Sequence, residues 1–200
     1  MAVTCHTQLI LASGSLIRQQ MLKEVGLRFS VLPSGVDEDV LKANNKHLSI
    51  GEQAVKLAEA KALSVSHAHP DALTIGADQM CSLNGRIFDK PGTYEKAEAQ
   101  LATLAGKTHH QTNGLVIAKG DTILWSHISV ATLAVRPLTA EEIKAYVAAD
   151  APLSSCGAYK LEALGRHLFA SIEGDHDVVK GLALIPLLTE LHRLKAISLT

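Results

Sequence analysis

The hydrophobic residues of this chain form two different patterns, short continuous runs and runs at helical spacing, and their alternation predicts both strands and helices. Residues 8–12 and 72–77 are continuous apolar runs of strand length, as expected for strands buried on both faces. Residues 51–67 repeat apolar side chains at helical spacing, as in a helix with one buried face. This alternation indicates an α/β protein with some antiparallel hairpins.

Capping and turn residues set the expected ends of the other elements. Helices are predicted at 93–105, from Thr139 onward, at 181–195, and at 15–25 with Ser15 as N-cap and Gly26 as the stop. Strands are predicted in two runs between His109 and Val135, at 166–173, and at Phe29–Leu32, Met80–Leu83 and Arg86–Phe88. Residues 33–46 are polar and acidic, and we expect an irregular loop there.

The connection after the first apolar run is a candidate anion site. Leu9–Leu11 is followed by Ala12-Ser13-Gly14-Ser15 and then by an amphipathic segment with Arg18 in its first turn. Free N–H groups at a helix start, hydroxyls and a guanidinium can converge on one phosphate. Because Arg18 lies on the apolar side of this helix, it needs an anionic partner. Either a phosphate or an ion pair with Asp37 or Glu38 would supply one.

Two further charged residues stand in apolar surroundings. Asp78 follows the 72–77 run, and ligands of open α/β sheets lie beyond the carboxyl ends of such strands. A carboxylate there can bind a divalent metal, act as a general base on water, or cap the turn before the hairpin. Lys61 projects into the apolar stripe of residues 51–67. If buried, it needs a partner such as a phosphate, whereas at the rim of the core its stem would snorkel.

Other candidates carry weaker signals. Lys90 precedes Pro91, which disfavours a helical conformation and holds the lysine on a rigid turn. Glu162 follows a stretch of small residues, a composition that suits the close approach of a ligand or of another backbone segment. Asp175 and Asp177 lie in a glycine-containing turn, either as metal ligands or as ordinary turn residues.

Composition and charge restrict the class of protein. The 200 residues are 47% hydrophobic and 20% charged, which indicates an ordered globular chain. A net charge of −1, 4% aromatic residues and no basic stripe argue against nucleic-acid binding. The three cysteines are far apart and the N-terminus has no signal-peptide pattern, so we expect a cytoplasmic protein without a membrane partner.

The motifs occur in an order that resembles the Maf family. From residue 8 to the C-terminal helix, the resemblance is carried by Leu11-Ala12-Ser13-Gly14-Ser15 with Arg18, Lys61, Gly76-Ala77-Asp78-Gln79, Lys90-Pro91, Gly106-Lys107-Thr108-His109, Gly157-Ala158-Tyr159, Ile172-Glu173-Gly174-Asp175 and Val179-Lys180-Gly181-Leu182. It implies a single domain over residues 1–200 with a mixed elongated sheet, flanking helices and a deep cleft between two lobes, similar to the inosine triphosphatases. The implied activity is a house-cleaning nucleoside triphosphate pyrophosphatase that uses Mg²⁺ or Mn²⁺.

The resemblance also implies roles for individual residues. Asp78 would activate the attacking water, and a divalent metal would be bound by Asp78 and Glu38. The triphosphate would be held by Ser13, Arg18, Lys61 and Lys90. The choice of base would be set by Ile17, Gln79 and Glu162.

The three positions for base choice do not all match one branch of the family. Gln79 and Glu162 resemble the branch that hydrolyses 7-methyl-GTP, whereas Ile17 departs from it. A carboxylate only accepts hydrogen bonds, whereas an amide both donates and accepts. We therefore expect a preference for guanine or 7-methylguanine triphosphates over dTTP and UTP. The alternative function is a non-catalytic nucleotide- or partner-binding regulator of cell division. The sequence leaves open whether the chain forms a homodimer.

Overall fold

The computed structural model describes residues 2–200 and has a mixed α/β architecture. Its strands are β1 (Val3–Cys5), β2 (Leu9–Leu11), β3 (Ser30–Val31), β4 (Leu73–Leu83), β5 (Arg86–Phe88), β6 (Thr108–Lys119), β7 (Thr122–Val135), β8 (Phe169–Glu173) and β9 (Ile197–Leu199). Its α-helices are α1 (Leu16–Glu24), α2 (Glu38–Asn44), α3 (Ile50–Ser66), α4 (Tyr94–Leu104), α5 (Ala140–Asp150), α6 (His176–Lys180) and α7 (Leu184–Arg193). A short 3₁₀ helix, Leu164–Leu168, precedes β8.

Seven strands form one mixed sheet in the order β3-β2-β4-β6-β7-β8, with β5 paired to β4. Strand β2 is parallel to both β3 and β4, so that Leu11 lies opposite Val31 and Ile75. Strands β5 and β8 are antiparallel to β4 and β7. The mixed sheet predicted from the resemblance is therefore confirmed. A separate antiparallel pair, β1 with β9, places Val3 opposite Leu199.

The described residues divide into two compact units. Unit 1 contains the chain up to Asp78, together with Asn113–Ser129 and Gly181–Thr200. Unit 2 contains Gln79–Thr112 and Val130–Lys180. The chain passes from the first to the second within β4, so neighbouring residues of one strand belong to different units.

In unit 1, helix α3 lies directly against β4 and β6. A Cβ atom at Gly76 of β4 would overlap the carbonyl oxygen of Ala58, and one at Gly114 of β6 would overlap the backbone of Ala54. Alanines of α3 pack with Val116 and its neighbours on β6 to complete this contact. Because any side chain at the two glycines would displace the helix, glycine is required there for the close approach of α3.

In unit 2, aromatic rings meet in the interior. The ring of Tyr159 lies edge-on to His109 at 5.5 Å and to Phe169 at 4.9 Å, measured between centroids. Gly157 has a φ of +83°, and a Cβ there would approach the sulfur of Cys81 to 2.8 Å. Glycine at this turn therefore lets the chain bring Tyr159 inside, where it is 4% exposed.

Most predicted elements are confirmed, with small differences at their ends. The helices expected at 15–25, 51–67 and 93–105 are α1, α3 and α4, and the capping box of Thr139 with Glu142 opens α5. The run 166–173 begins as a 3₁₀ helix and becomes a strand at Phe169. Within residues 2–200, no helix is long and apolar enough to cross a bilayer.

Two predictions about local structure are wrong. The segment 33–46 contains helix α2, because Asp37 caps it and acidic residues in its first turn favour a helix N-terminus. The strand expected to end at Ala77 continues to Leu83. Its parallel partner β2 stops at Leu11, but β5 takes over as a partner from Cys81 onward, so the strand does not end.

Candidate active site

Asp78 and Lys61 form a buried ion pair in unit 1. The Nζ atom of Lys61 donates to Oδ1 of Asp78 at 2.6 Å, and Oε1 of Glu38 lies 2.8 Å from the same nitrogen. The side chains of Lys61 and Asp78 are each 8% exposed, and that of Glu38 is 37% exposed. One ammonium group thus contacts two carboxylates. The snorkelling alternative for Lys61 is wrong, and its partners are carboxylates where the sequence suggested a phosphate.

The position of this pair follows from the packing of α3 on β4. Side chains alternate along a strand, so Asp78 lies on the same face as Gly76. The missing side chain at Gly76 lets α3 approach that face at Ala58 and Ala62. Lys61 precedes the second of these alanines, and its side chain therefore reaches Asp78. The sequence marked Lys61 as anomalous, but it did not reveal which residue it would meet.

Helix α2 supplies the third member of the cluster. Asp37 is its N-cap and accepts the backbone N–H groups of Asp39 and Val40, each at 3.1 Å. Glu38 is the first residue of this helix, and α2 contacts α3. The signal for this helix was present in the sequence as an N-cap aspartate followed by acidic residues. It was outweighed by the overall polarity of the segment.

Arg18 is buried beside the turn between β2 and α1. Its Nη1 atom donates to Ser13 Oγ at 3.1 Å and to the Ala77 carbonyl at 2.9 Å, and its Nε donates to the Gly181 carbonyl at 2.8 Å. The parallel ladder ends where the Ala12 N–H bonds the Ile75 carbonyl. Arg18 thus satisfies the next carbonyl on that edge of β4 and fixes the hydroxyl of Ser13.

Asn113 is a site residue that sequence reasoning missed. It is fully buried in β6 and donates through Nδ2 to the carbonyls of Asp78 at 2.8 Å and Gly181 at 3.1 Å. Its Oδ1 accepts the N–H of Ala183 at 2.9 Å. The amide therefore ties the backbone of Asp78 to the segment that follows α6. No local pattern marks this role, because it depends on which strand lies beside β4.

The two carboxylates of the cluster fit a divalent cation. Mg²⁺ is commonly held by one or two carboxylates, with the remaining positions taken by waters and substrate phosphates. Asp78 and Glu38 both lie within hydrogen-bond distance of one ammonium and so border one small space. Among residues 2–200, no group of three or more Asp, Glu, His or Cys side chains could hold a metal. A cation here would therefore take its other ligands from substrate and water.

The remaining predicted residues are placed separately. Ile17 is half-buried on α1 in unit 1. Lys90 and Glu162 are exposed, and Gln79 is half-buried on β4; all three belong to unit 2. The pair Asp175 and Asp177 opens α6: Asp175 accepts the N–H of Asp177 at 2.9 Å, and Asp177 pairs with Lys180 at 2.7 Å. Asp175 is therefore a turn residue before α6, and Asp177 is a residue of its first turn that pairs with Lys180.

Comparison with known proteins identifies relatives over nearly the whole chain. The chain is 41% identical over 191 residues to a nucleoside triphosphate pyrophosphatase of Legionella pneumophila (strain Corby), with 96% of each chain covered. It is also 41% identical over 195 residues to a 7-methyl-GTP pyrophosphatase of Brucella abortus biovar 1 (strain 9-941), covering 96% of this chain and 98% of that one.

Among solved structures, the Staphylococcus aureus Ham1 protein aligns with 94% of this chain and 99% of its own, at 14% identity and a TM-score of 0.46. The sequence profile of the Maf-like proteins matches residues 8–194. That match covers all of the residues of the cluster around Asp78 and runs through both units. The chain therefore belongs to the Maf-like protein family.

Proposed function

We propose that this protein is a nucleoside triphosphate pyrophosphatase, which cleaves its substrate between the α- and β-phosphates to give NMP and pyrophosphate. Relatives that are 40 to 41% identical over 96% of this chain are named nucleoside triphosphate pyrophosphatase or 7-methyl-GTP pyrophosphatase. The observation that carries the proposal is the buried Lys61–Asp78 pair with Glu38 beside it. Burying the Lys61 ammonium and the Asp78 carboxylate is costly in desolvation and contributes little net stability, which favours a functional role for the pair.

Asp78 is the general base in this proposal. Its carboxylate is the most buried acidic group of the cluster and is held by a charge-assisted hydrogen bond from Lys61. Asn113 fixes its backbone through the carbonyl. An aspartate whose carboxylate and backbone are both restrained is suited to take a proton from water as that water attacks phosphorus.

Phosphoryl transfer mostly requires positioning and neutralisation of charge. Lys61 and Arg18 bring two positive charges to unit 1, and Ser13 offers a hydroxyl whose orientation Arg18 restrains. Lys90 is assigned to the triphosphate by the resemblance alone. Asp78 and Glu38 are the residues that would hold a divalent cation, which supplies further neutralisation of phosphate charge when bound.

The base is proposed to be guanine or 7-methylguanine. Glu162 is an exposed carboxylate and accepts hydrogen bonds only. A guanine edge presents N1–H and an amino group to such an acceptor, and 7-methylation adds a positive charge that a carboxylate attracts. The expected test is kcat/KM for 7-methyl-GTP, GTP, UTP and dTTP in the wild type and in Glu162→Gln. Equal or better activity on UTP and dTTP in the wild type would refute this base preference.

The reaction itself is tested by product analysis. Purified protein with Mg²⁺ or Mn²⁺ and an NTP should release NMP and pyrophosphate, identified by phosphorus NMR. Release of NDP and orthophosphate would contradict cleavage between the α- and β-phosphates. Binding without turnover across the whole nucleotide panel would instead favour the non-catalytic regulator.

A further inference from the structure

The side-chain amide of Gln79 has its orientation fixed by the protein. Its Nε2 atom lies 2.8 Å from the carbonyl oxygen of Val179 and 2.8 Å from Oε1 of Gln111. A backbone carbonyl only accepts hydrogen bonds, so the atom facing Val179 must be the NH₂ group. Both amide protons of Gln79 are then used within unit 2. The hydrogen-bonding atom that remains for a ligand is Oε1, which is an acceptor.

The neighbouring Gln111 is oriented in the same manner. Its Nε2 atom lies 3.2 Å from the carbonyl oxygen of Cys156 and 2.7 Å from the hydroxyl of Tyr159. The carbonyl again requires the NH₂ group at this end, which turns Oε1 of Gln111 toward Gln79. Gln111 is 1% exposed, so water does not offer it an alternative partner. Two backbone carbonyls therefore determine the direction of both amides.

His109 ends this chain of hydrogen bonds. The Tyr159 hydroxyl, which accepts from Gln111, also lies 2.7 Å from Nε2 of His109, and the His109 tautomer sets which of the two donates. The other ring nitrogen of His109, Nδ1, is buried without a hydrogen-bond partner among the described residues, which favours a neutral ring. Burial lowers the pKa of His109 to about 4, with a smaller contribution from His110, so the ring is neutral at neutral pH.

We propose that Gln111, held by Tyr159 and the Cys156 carbonyl, is a positioning residue for base selection, because it makes Gln79 present only an acceptor to the nucleotide base. This inference rests on the proposed function and on the role in base choice that the resemblance implies for Gln79, and it changes the sequence-based view that Gln79 offers both a donor and an acceptor. Guanine presents two adjacent donors, N1–H and its amino group, so Gln79 Oε1 can accept one of them while another acceptor takes the other. Uracil and thymine present a single N–H flanked by two carbonyl oxygens, so two acceptors on that edge leave one facing a carbonyl oxygen without a proton between them.

The test compares two substitutions at Gln111 that disturb the buried network differently. Gln111→Leu removes the acceptor for Gln79 and frees one of its amide protons for a ligand. Gln111→Glu keeps an acceptor facing Gln79 in either protonation state. Gln53→Leu is the control, since Gln53 is a buried glutamine of unit 1 that donates to the Leu48 carbonyl at 2.8 Å. The probes are the α,β-methylene analogues of GTP and UTP, whose Kd values are measured by calorimetry.

The wild type should bind the GTP analogue more tightly, so the Kd of the UTP analogue divided by that of the GTP analogue exceeds one. Gln111→Leu should reduce this ratio by about tenfold, the scale of one unpaired hydrogen-bonding group. Gln111→Glu and Gln53→Leu should leave the ratio within about threefold of the wild type. Equal affinity of the wild type for both analogues, or an unchanged ratio in folded Gln111→Leu protein, would overturn the proposal.

Two further measurements separate this inference from the proposed function. Pyrophosphate release with an unchanged ratio in Gln111→Leu would leave hydrolysis standing and remove Gln111 from base selection. A Kd ratio that changes in Gln111→Leu, in a protein that shows no turnover, would support the role of Gln111 in base selection and contradict the proposed hydrolysis. If Gln111→Leu does not fold, nitrogen-15 NMR of the wild-type side-chain amides decides: the proposal requires both Nε2 protons of Gln79 to be protected from exchange with water, and rapid exchange of either would overturn it.

Discussion

Unit 1 and unit 2 each contain a polar cluster, and the two clusters are of opposite kinds. In unit 1, Lys61, Asp78 and Glu38 form a cluster of full charges joined at 2.6 to 2.8 Å. In unit 2, Gln79, Gln111, Tyr159 and His109 form a chain at 2.7 to 2.8 Å that carries no charge when His109 is neutral. The first arrangement supplies a strong electrostatic field, and the second fixes the direction in which a hydrogen-bonding group points.

The difference matches two chemical requirements. Stabilising charge on a reacting phosphate needs charges and a base, and buried charges must be paired to be tolerated. Distinguishing one base from another needs a donor or an acceptor whose direction is fixed, and neutral amides provide it at smaller desolvation cost. We therefore expect substitutions in unit 1 to change rate and stability, and substitutions in the unit 2 chain to change preference and pH dependence.

The largest effect is expected for Asp78→Asn. The substitution keeps the shape and an acceptor for Lys61 but removes the proton acceptor, so turnover should fall by at least about a hundredfold with the fold intact. Steady-state pyrophosphate release and thermal unfolding measure the two quantities. Asp121→Asn, at an exposed aspartate paired with His67, is the matched control and should leave turnover unchanged. Near-normal kcat in folded Asp78→Asn protein would exclude Asp78 as the base.

Lys61→Met should lower the free energy of unfolding by about 3 to 5 kcal/mol, because it leaves a buried carboxylate without its counter-charge. Lys56→Met on the same helix provides the comparison, since Lys56 pairs with Glu59 at the surface with 51% of its side chain exposed. That pair should contribute less than about 1 kcal/mol. Chemical denaturation of both variants checks this. Equal losses of unfolding free energy would show that the Lys61 cluster stabilises the protein no more than a surface ion pair does.

His109 should make stability depend on pH. Its pKa is about 4 in the folded protein against an ordinary value of 6.5, so the unfolded chain binds the proton first as pH falls. The neutral His109 therefore contributes up to about 3 kcal/mol to the free energy of unfolding; this contribution is complete above about pH 6.5 and is lost as the pH falls from there to 4.

His109→Phe should reduce the loss of stability over this pH window, as measured by urea denaturation at several pH values. His110→Gln is the control, because His110 is exposed and contributes only the smaller part of the shift. A slope that is the same in the wild type and in His109→Phe would mean that His109 is not the titrating group.

Local signals in the sequence were sufficient for much of the fold. The helix boundaries follow from N-caps such as Ser15 and Thr139, whose hydroxyls bond backbone groups three residues away. Helical spacing alone showed that Lys61 would face the core. The helix α2 was missed because polarity outweighed the cap at Asp37. The extent of β4 was missed because strand length depends on partners, and β5 pairs where β2 has ended.

The chain by itself determined which residues carry charge on buried faces, where helices begin, and which family the motifs resemble. Only the tertiary structure decided that Lys61 meets Asp78 and Glu38, and that Asn113 and Gln111 hold the residues next to them. The physical reason is that caps and periodicity act within a few residues of sequence. Partners of a buried charge or amide come from whichever strand or helix the packing brings alongside, and here that packing depends on glycines such as Gly76.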